Sequence, residues 1–421
     1  TLHDVMGLTR DDIERSDYKM AYNTVALNLG VKTLNTDVRA LGYEANVNLT
    51  DLFTTYSQNE FNVNVDGNIH YGFTIAQKYK AIAYLHLTYN GYANNFNPIA
   101  LPLGYDTLFA AGLQDRDETT GRSVLASSEY RRLYKANPYI DFIFSGFQIH
   151  AGAVVALDGF NVLKSGKVHV YPDAIVSKSF FNNLLNVSLV AMGNIDANSW
   201  NSIRMVNPYI LPGSDIRATS HYDWGAKVRL NLSKKIDFNL YGYYSSMDDD
   251  LSFVLNDHYT LKNVFSPVYD SLTRIRLGGN FVFLNDEMLR LEVKGNYYIY
   301  KNKSTDLKGD TWVQKPLYYR PDFDAAVSAT VNYNNKVIGR VEFQAMGRMP
   351  YATTQAADGA DSTLYLPWRY GLNAEVEYRH NKALSFFVKM DNLLFQRYYY
   401  WQNYPSYRAL FLAGLTYTIP N

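Results

Sequence analysis

The 421-residue chain carries no net charge, because its 40 Lys and Arg balance its 40 Asp and Glu, and this balance argues against a nucleic-acid partner. It contains no cysteine, which excludes a disulfide framework, a cysteine-based zinc site and a thiol nucleophile. Aromatic residues make up 15% of the chain, with 37 Tyr, and amphipathic rings in such numbers are typical of membrane barrels, where they settle at both water–lipid boundaries.

Apolar and polar residues alternate with period two along nearly the whole chain, which predicts strands. No run reaches the ~20 apolar residues of a membrane helix, so a membrane span would have to be built from paired strands. In chain order the predicted strands are 38–50, 61–75, 80–93, 134–146, 147–158, 167–180, 184–197, 221–233, 237–249, 271–285, 288–302, 323–335, 337–350, 367–381, 383–396 and 406–419. They predict an all-β fold, an antiparallel transmembrane β-barrel of about sixteen strands with both termini periplasmic. Fourteen strands is the alternative, because 38–50 and 147–158 are the least regular.

The N-terminal segment is set apart from these strands. Thr1–Lys19 is polar and holds no signal peptide, so we interpret the chain as the mature form of an exported protein. We therefore divide the chain into residues 1–35, an N-terminal periplasmic or lumenal segment, and residues 36–421, the barrel. Ala21–Leu34 is apolar and alternating, and it either joins the first strand or folds into the barrel mouth.

A soluble β-sandwich or propeller would also show alternating strands. The predicted strands run about 12–15 residues, against the usual ~5–6, and their connections alternate between short turns and long loops. Aromatic residues also recur at strand ends. We predict a girdle at the membrane boundaries from Tyr222, Trp224, Trp368, Tyr370, Tyr378, Tyr407 and Tyr417. These features favour a multi-pass barrel in the outer membrane of a Gram-negative bacterium.

Charged residues on the polar face of the C-terminal strands are predicted to line the lumen. They are Arg274, Arg276, Arg290, Glu292, Lys294, Arg340, Glu342, Arg348, Arg369, Glu375, Glu377, Arg379, Lys389 and Asp391. They could form a selectivity lining for a polar solute, or they could pair across strands and stiffen the wall. Both signs occur on the same strands, which favours pairing.

The chain shows no sign of catalytic or cofactor chemistry. It has no Gly-x-Ser-x-Gly, no phosphate-binding loop, no dinucleotide fingerprint and no HExxH pair, so we predict no enzyme activity, no catalytic residues, no metal site and no cofactor. The longest connection, 94–129, is the best candidate for a loop that folds inward. Whether this loop or residues 1–35 fill the lumen stays open.

The C-terminal end carries a run of aromatic and turn motifs. These are Asp391-Asn392-Leu393-Leu394-Phe395, Tyr398-Tyr399-Tyr400, Tyr404-Pro405, Tyr407-Arg408 and Gly414-Leu415-Thr416-Tyr417. Over roughly the last 55 residues this run resembles the barrel end of TonB-dependent receptors, in the style common in Bacteroidetes. Members of that family also carry a plug domain and about twenty-two strands, which 421 residues cannot hold, so we expect a form that lacks the plug.

Two functions follow from this reading. In the first, the barrel binds small polar solutes or passes them across the outer membrane, as the resemblance implies. In the second, it is a non-transporting subunit of a larger outer-membrane assembly or secretion complex. The expected partners are outer-membrane lipid and lipopolysaccharide, and in the second case other outer-membrane proteins or lipoproteins.

Overall fold

The computed structural model describes most of the strands and the shorter connections. The described residues are 22–34, 40–54, 59–75, 79–95, 128–159, 167–210, 216–256, 264–285, 288–303, 305–308, 311–314, 317–355 and 361–418. Residues 1–21 and most of the predicted loop 94–129 lie outside these ranges. No helix in the described residues is long and apolar enough to cross a membrane.

One large sheet dominates the described chain, and it contains seventeen strands. In chain order these are β1 (Tyr22–Lys32), β2 (Gly42–Thr54), β3 (Asn59–Ile75), β4 (Tyr79–Asn95), β5 (Ser128–Phe144), β6 (Phe147–Asp158), β7 (Lys167–Phe180), β8 (Leu185–Asp196), β9 (Thr219–Ser233), β10 (Ile236–Leu255), β11 (Phe265–Asn285), β12 (Leu289–Asn302), β15 (Phe323–Tyr333), β16 (Val337–Met346), β19 (Arg369–Arg379), β20 (Leu384–Asp391) and β23 (Leu410–Tyr417). Each register that joins two of them is antiparallel. The predicted all-β antiparallel fold is confirmed.

The sheet has one strand more than the sequence analysis counted. β1 lies within the segment 1–35, and it pairs with β2 along its whole length, from Tyr22 opposite Thr54 to Lys32 opposite Glu44. Its alternation was visible in the sequence, and pairing with β2 shows that it is a strand of the sheet. Tyr22–Lys32 is thus a separate strand paired with β2, which is neither of the two alternatives given for Ala21–Leu34.

The longer connections contain small elements of their own. Three hairpins are described, formed by β13 (Thr305–Lys308) with β14 (Thr311–Gln314), β17 (Met349–Gln355) with β18 (Asp361–Leu366), and β21 (Tyr399–Trp401) with β22 (Tyr404–Pro405). The connection between β8 and β9 carries the helix α1 (Trp200–Val206). Among the described connections, short turns join β5 to β6, β7 to β8, β9 to β10 and β15 to β16. In two of these turns, Asn182, Asn183, Asn334 and Asn335 adopt the positive φ angles that asparagine tolerates.

The chain forms two compact units. Unit 1 comprises Thr1–Val176, Ala191–Asp223 and Ser246–Ser271, and unit 2 comprises Ser177–Val190, Trp224–Ser245 and Leu272–Asn421. Unit 1 holds a buried cluster built from Tyr92, Leu133, Val154, Ala156, Tyr171, Ile195 and Ala218. Most of the predicted lumen charges lie on the strands of unit 2.

The strands of unit 2 present one apolar and one polar face. The apolar face shows in the row Val293, Val327 and Phe343, which lie opposite one another on β12, β15 and β16 and are 41–47% exposed. The next row along the same strands, one residue away, is Glu292, Ser328 and Glu342 on the other face. This separation follows from the period-two geometry of a strand, in which successive side chains point to opposite sides.

Candidate functional site

The polar face of unit 2 brings the predicted lumen charges together. Thirteen of them lie on β11, β12, β16, β19 and β20, and Arg348 lies in the connection after β16. The registers align them in rows, in which Arg340 lies opposite Glu375 and Glu375 opposite Lys389. The registers place the predicted residues of β12, β16, β19 and β20 on one face of the sheet, and that this face lines a lumen stays a prediction.

The ion pairs on this face join residues two apart on one strand. Arg290 lies 3.1 Å from Glu292, Arg340 lies 2.6 Å from Glu342, and the corresponding pairs Arg379–Glu377 and Lys389–Asp391 measure 3.0 and 3.7 Å. The basic partner in each pair is about half exposed, so each pair adds little stability by itself. These four pairs therefore form along single strands, whereas the cross-strand pairing weighed from the sequence occurs between Arg229 on β9 and Asp237 on β10.

Several arginines on the same face rest on tyrosine rings. The Arg276 guanidinium lies 5.4 and 5.0 Å from the ring centres of Tyr241 and Tyr243. Arg369 lies 5.3 and 5.4 Å from the ring centres of Tyr398 and Tyr400. The attraction between a guanidinium and a ring face does not use the N–H groups of the guanidinium as donors. These arginines can therefore still donate hydrogen bonds to other groups. The arginines could be named from the sequence, but the rings that contact them could not, because those contacts depend on the fold.

A polar cavity of about 440 Å³, which we call the Arg369 cavity, opens on this face. Its lining includes Lys294, Asp324, Ala326, Gln344, Arg369, Gly371, Asn373, Asp391, Asn392, Tyr398 and Tyr400. A second cavity of about 230 Å³ adjoins it through Gln344, Asn373 and Asp391, and it contains the pair Arg340–Glu342. The Arg369 cavity is the candidate functional site, because it combines charged, aromatic and amide groups around one space.

The floor of the Arg369 cavity is a row in which small and long residues alternate. Lys294, Ala326, Gln344 and Gly371 lie opposite one another across β12, β15, β16 and β19. Ala326 and Gly371 add almost no side-chain volume, and a Cβ atom placed on Gly371 would meet nothing within 4 Å. The cavity therefore exists because two positions in the row are small while their neighbours are long.

The motif after β20 holds the aromatic wall of the cavity. Asn392 has a φ of 55° and is 6% exposed. Its backbone N–H donates to Asn373 Oδ1 at 2.9 Å, and its Nδ2 donates to the carbonyls of Gln396 and Tyr407 at 2.8 and 3.0 Å. Asn392 thus joins the two ends of the connection between β20 and β23. This is a structural role for the Asp391–Phe395 motif, which in the sequence indicated only a resemblance.

The two phenols of the wall contact each other. The hydroxyls of Tyr398 and Tyr400 lie 3.0 Å apart, and their rings pack edge to face. Burial, followed by the hydrogen bond with Tyr400, raises the pKa of Tyr398 to about 12. Tyr398 lies outside the main strands and stays protonated at neutral pH, so it can donate a hydrogen bond.

Unit 1 carries a different polar arrangement, built from histidine and aspartate. His150 lies 2.7 Å from Asp141 through Nδ1 and 3.1 Å from Asp173 through Nε2, while His86 lies 2.8 Å from Asp66. The two nitrogens of His150 face different carboxylates, so the arrangement holds the ring between strands. In the described part of the chain, no group of three His, Cys, Asp or Glu side chains could hold a metal ion.

The predicted girdle residues take two kinds of position. Trp224, Trp368, Tyr370, Tyr378, Tyr407 and Tyr417 are all exposed. Tyr222 instead packs against the buried cluster of unit 1, with its ring 4.9 Å from that of Tyr171 and its hydroxyl 3.4 Å from the Val170 carbonyl.

Comparison with known proteins finds likeness in structure alone. A scan against protein-family models gives no match, and a search of curated proteins gives no similar sequence. Among solved structures, the siderophore receptor PirA from Acinetobacter baumannii matches with a TM-score of 0.63 at 11% identity, over 94% of this chain and 62% of that one. The FrpB iron transporter from Neisseria meningitidis matches with a TM-score of 0.63 at 10% identity, over 94% of this chain and 63% of that one.

The copper transporter OprC also matches, with a TM-score of 0.61 at 10% identity, over 94% of this chain and 65% of that one. The chain has the fold of these receptors and transporters. It spans less than two thirds of the length of each of these three structures. The receptor fold agrees with the resemblance noted at the C-terminal end.

Proposed function

We propose that the protein forms the wall of an outer-membrane receptor of the TonB-dependent type, which binds small polar solutes and passes them across the membrane. The fold shared with siderophore, iron and copper proteins supports this proposal. Its environment would be outer-membrane lipid and lipopolysaccharide.

One observation carries the proposal, which is the separation of the two faces of the sheet. In water, rows such as Val293, Val327 and Phe343 would be costly to leave exposed, at ~25 cal/mol for each Å² of apolar surface. In a bilayer the same rows meet lipid, and the opposite face turns its charges inward. The Arg369 cavity then faces the path of the solute.

The test is to reconstitute the purified full chain in lipid vesicles and to measure entry of small neutral and charged solutes. We expect entry above that of protein-free vesicles. Vesicles that stay closed to every solute, together with fixed protein partners recovered in mild detergent from native membranes, would favour the non-transporting subunit over the receptor.

A further inference from the structure

The Arg369 cavity contains two cations that no carboxylate of the described chain neutralises. Arg369 contacts the rings of Tyr398 and Tyr400, and no described carboxylate lies within 4.0 Å of its nitrogens. Lys294 likewise forms no ion pair with a described residue, although its charge acts at longer range on Glu342. We propose that this cavity binds the anionic oxygen group, a carboxylate or a phosphate, of an organic solute. The inference rests on the proposed function and names its class of ligand.

The acidic residues around the cavity already have partners. Asp324 accepts hydrogen bonds from the Tyr298 hydroxyl at 2.7 Å and from Asn296 Nδ2 at 3.1 Å. Asp391 lies 3.7 Å from the ammonium of Lys389. The Lys389–Asp391 pair is neutral as a whole, and Asp324 is met only by neutral donors, so the positive charges of Lys294 and Arg369 exceed the negative charge of Asp324 by one.

The rings orient Arg369 for such a ligand. The guanidinium carbon lies 5.3 and 5.4 Å from the ring centres of Tyr398 and Tyr400, and attraction to a ring does not use the N–H groups as hydrogen-bond donors. A planar guanidinium offers these N–H groups as a fork that matches a carboxylate or a phosphate. The site therefore combines a held donor fork with a second, flexible cation in Lys294.

The size of the cavity depends on Ala326 and Gly371, which lie in the row between Lys294 and the wall around Arg369. Gly371 has open space where a side chain would stand, and its φ lies outside the positive range, so a larger residue fits there without backbone strain. Filling this space should exclude a ligand and leave both cations in place. A variant filled at Gly371 therefore distinguishes a ligand bound inside the cavity from an anion attracted only by the positive charge.

The test uses isothermal titration calorimetry on the full chain in a neutral detergent, with citrate, inorganic phosphate and sorbitol as probes. We expect citrate or phosphate to bind and sorbitol not to bind, with binding weakened by added salt. Arg369→Met and Lys294→Met should each raise the dissociation constant roughly tenfold to a hundredfold, because each removes a charged hydrogen-bond donor. Gly371→Leu should abolish binding.

Two matched controls complete the experiment. Gly339 also has open space around it but lies on the apolar face of β16, opposite Val376, so Gly339→Leu should bind citrate as the wild type does. Arg229 pairs with Asp237 outside the cavity, so Arg229→Met should also bind normally. Circular dichroism would show that each variant is folded.

Each outcome decides the proposal. Binding of citrate but not phosphate supports a carboxylate ligand, and the reverse supports a phosphate. No binding of either anion, sorbitol binding as tightly as both, or an unchanged Gly371→Leu would overturn the inference. Vesicles that pass solutes while the protein binds no anion would overturn this inference alone, whereas anion binding without any passage would overturn only the proposed transport.

Discussion

The Glu60 carboxylate accepts a 2.6 Å hydrogen bond from the backbone N–H of Trp200, 140 residues further along the chain. The same carboxylate accepts a second hydrogen bond, at 3.0 Å, from the N–H of Asn201. These groups belong to the first turn of α1, whose N–H donors have no partner within the helix. Arg204, near the end of α1, packs 4.5 Å from the ring centre of Tyr22 on β1. The connection between β8 and β9 is thus held against β1 and β3 within unit 1.

Glu60→Ala should release α1 from β3. Glu60 is fully buried and its carboxylate satisfies two helix donors, so its removal leaves buried N–H groups without an acceptor. Amide hydrogen exchange of residues 200–206 should accelerate roughly tenfold to a hundredfold. Glu44→Ala, which removes an exposed carboxylate from the neighbouring strand β2, should leave this exchange unchanged. Equal protection of α1 in both variants would contradict the role given to Glu60.

Gly152→Ala should destabilise unit 1, because Gly152 lies opposite Tyr139 and leaves room for its side chain. A Cβ atom at this position would lie 2.6 Å from the Pro138 carbonyl oxygen and would also meet the Tyr139 side chain, which stacks on Tyr84 with ring centres 4.6 Å apart. We expect a loss of about 1–3 kcal/mol in the free energy of unfolding, measured with urea. Gly339→Ala, where the space is open, should instead be neutral or stabilise by about 0.4–1 kcal/mol.

Val341→Arg should interfere with insertion, because Val341 lies on the apolar face of β16 and is 47% exposed. If that face meets lipid, a cation there costs about 2–4 kcal/mol near the middle of the bilayer. Ser328→Arg is the control, since Ser328 lies on the polar face between Glu292 and Glu342. An arginine there would have two acidic neighbours. Unfolding from lipid vesicles should show a loss of stability for Val341→Arg and none for Ser328→Arg. Similar stabilities of the two variants would speak against contact of this face with lipid.

Tyr398 should ionise late in an alkaline titration. Its pKa is raised by burial and by the Tyr400 hydroxyl to about 12, from 10.0 in the unfolded chain, so the fold favours the neutral phenol. This contribution to stability is complete below about pH 10 and is lost as the pH rises through about 12. The ultraviolet difference between wild type and Tyr398→Phe should report this step, and Tyr400→Phe should move it to lower pH. Tyr407→Phe, at an exposed ring, should leave the step where it was.

Sequence alternation alone was sufficient to predict the main strands, because the period of two is a local property of an extended backbone. It also predicted that Arg290, Glu292 and Lys294 share a face, since residues two apart on a strand point the same way. The same pattern marked Ala21–Leu34 but left its place open. A strand of a sheet needs a partner strand, and the pairing of β1 with β2 cannot be deduced from a local sequence pattern.

The Arg369 cavity could not be predicted from the sequence. The charged residues could be named in advance, but the row of Lys294, Ala326, Gln344 and Gly371 depends on the registers of three strand pairs. Neither the small floor nor the rings of Tyr398 and Tyr400 above Arg369 can be seen without those registers.

By itself, then, the amino-acid sequence determined the strands, their two faces and the chemistry that each face offers, because these properties follow from neighbours one and two residues apart. The tertiary structure alone decided which strands pair and in what register, that α1 is held by Glu60, and that two cations lie beside an open space. Those features join residues tens to hundreds of positions apart, and only the packed chain brings such residues together.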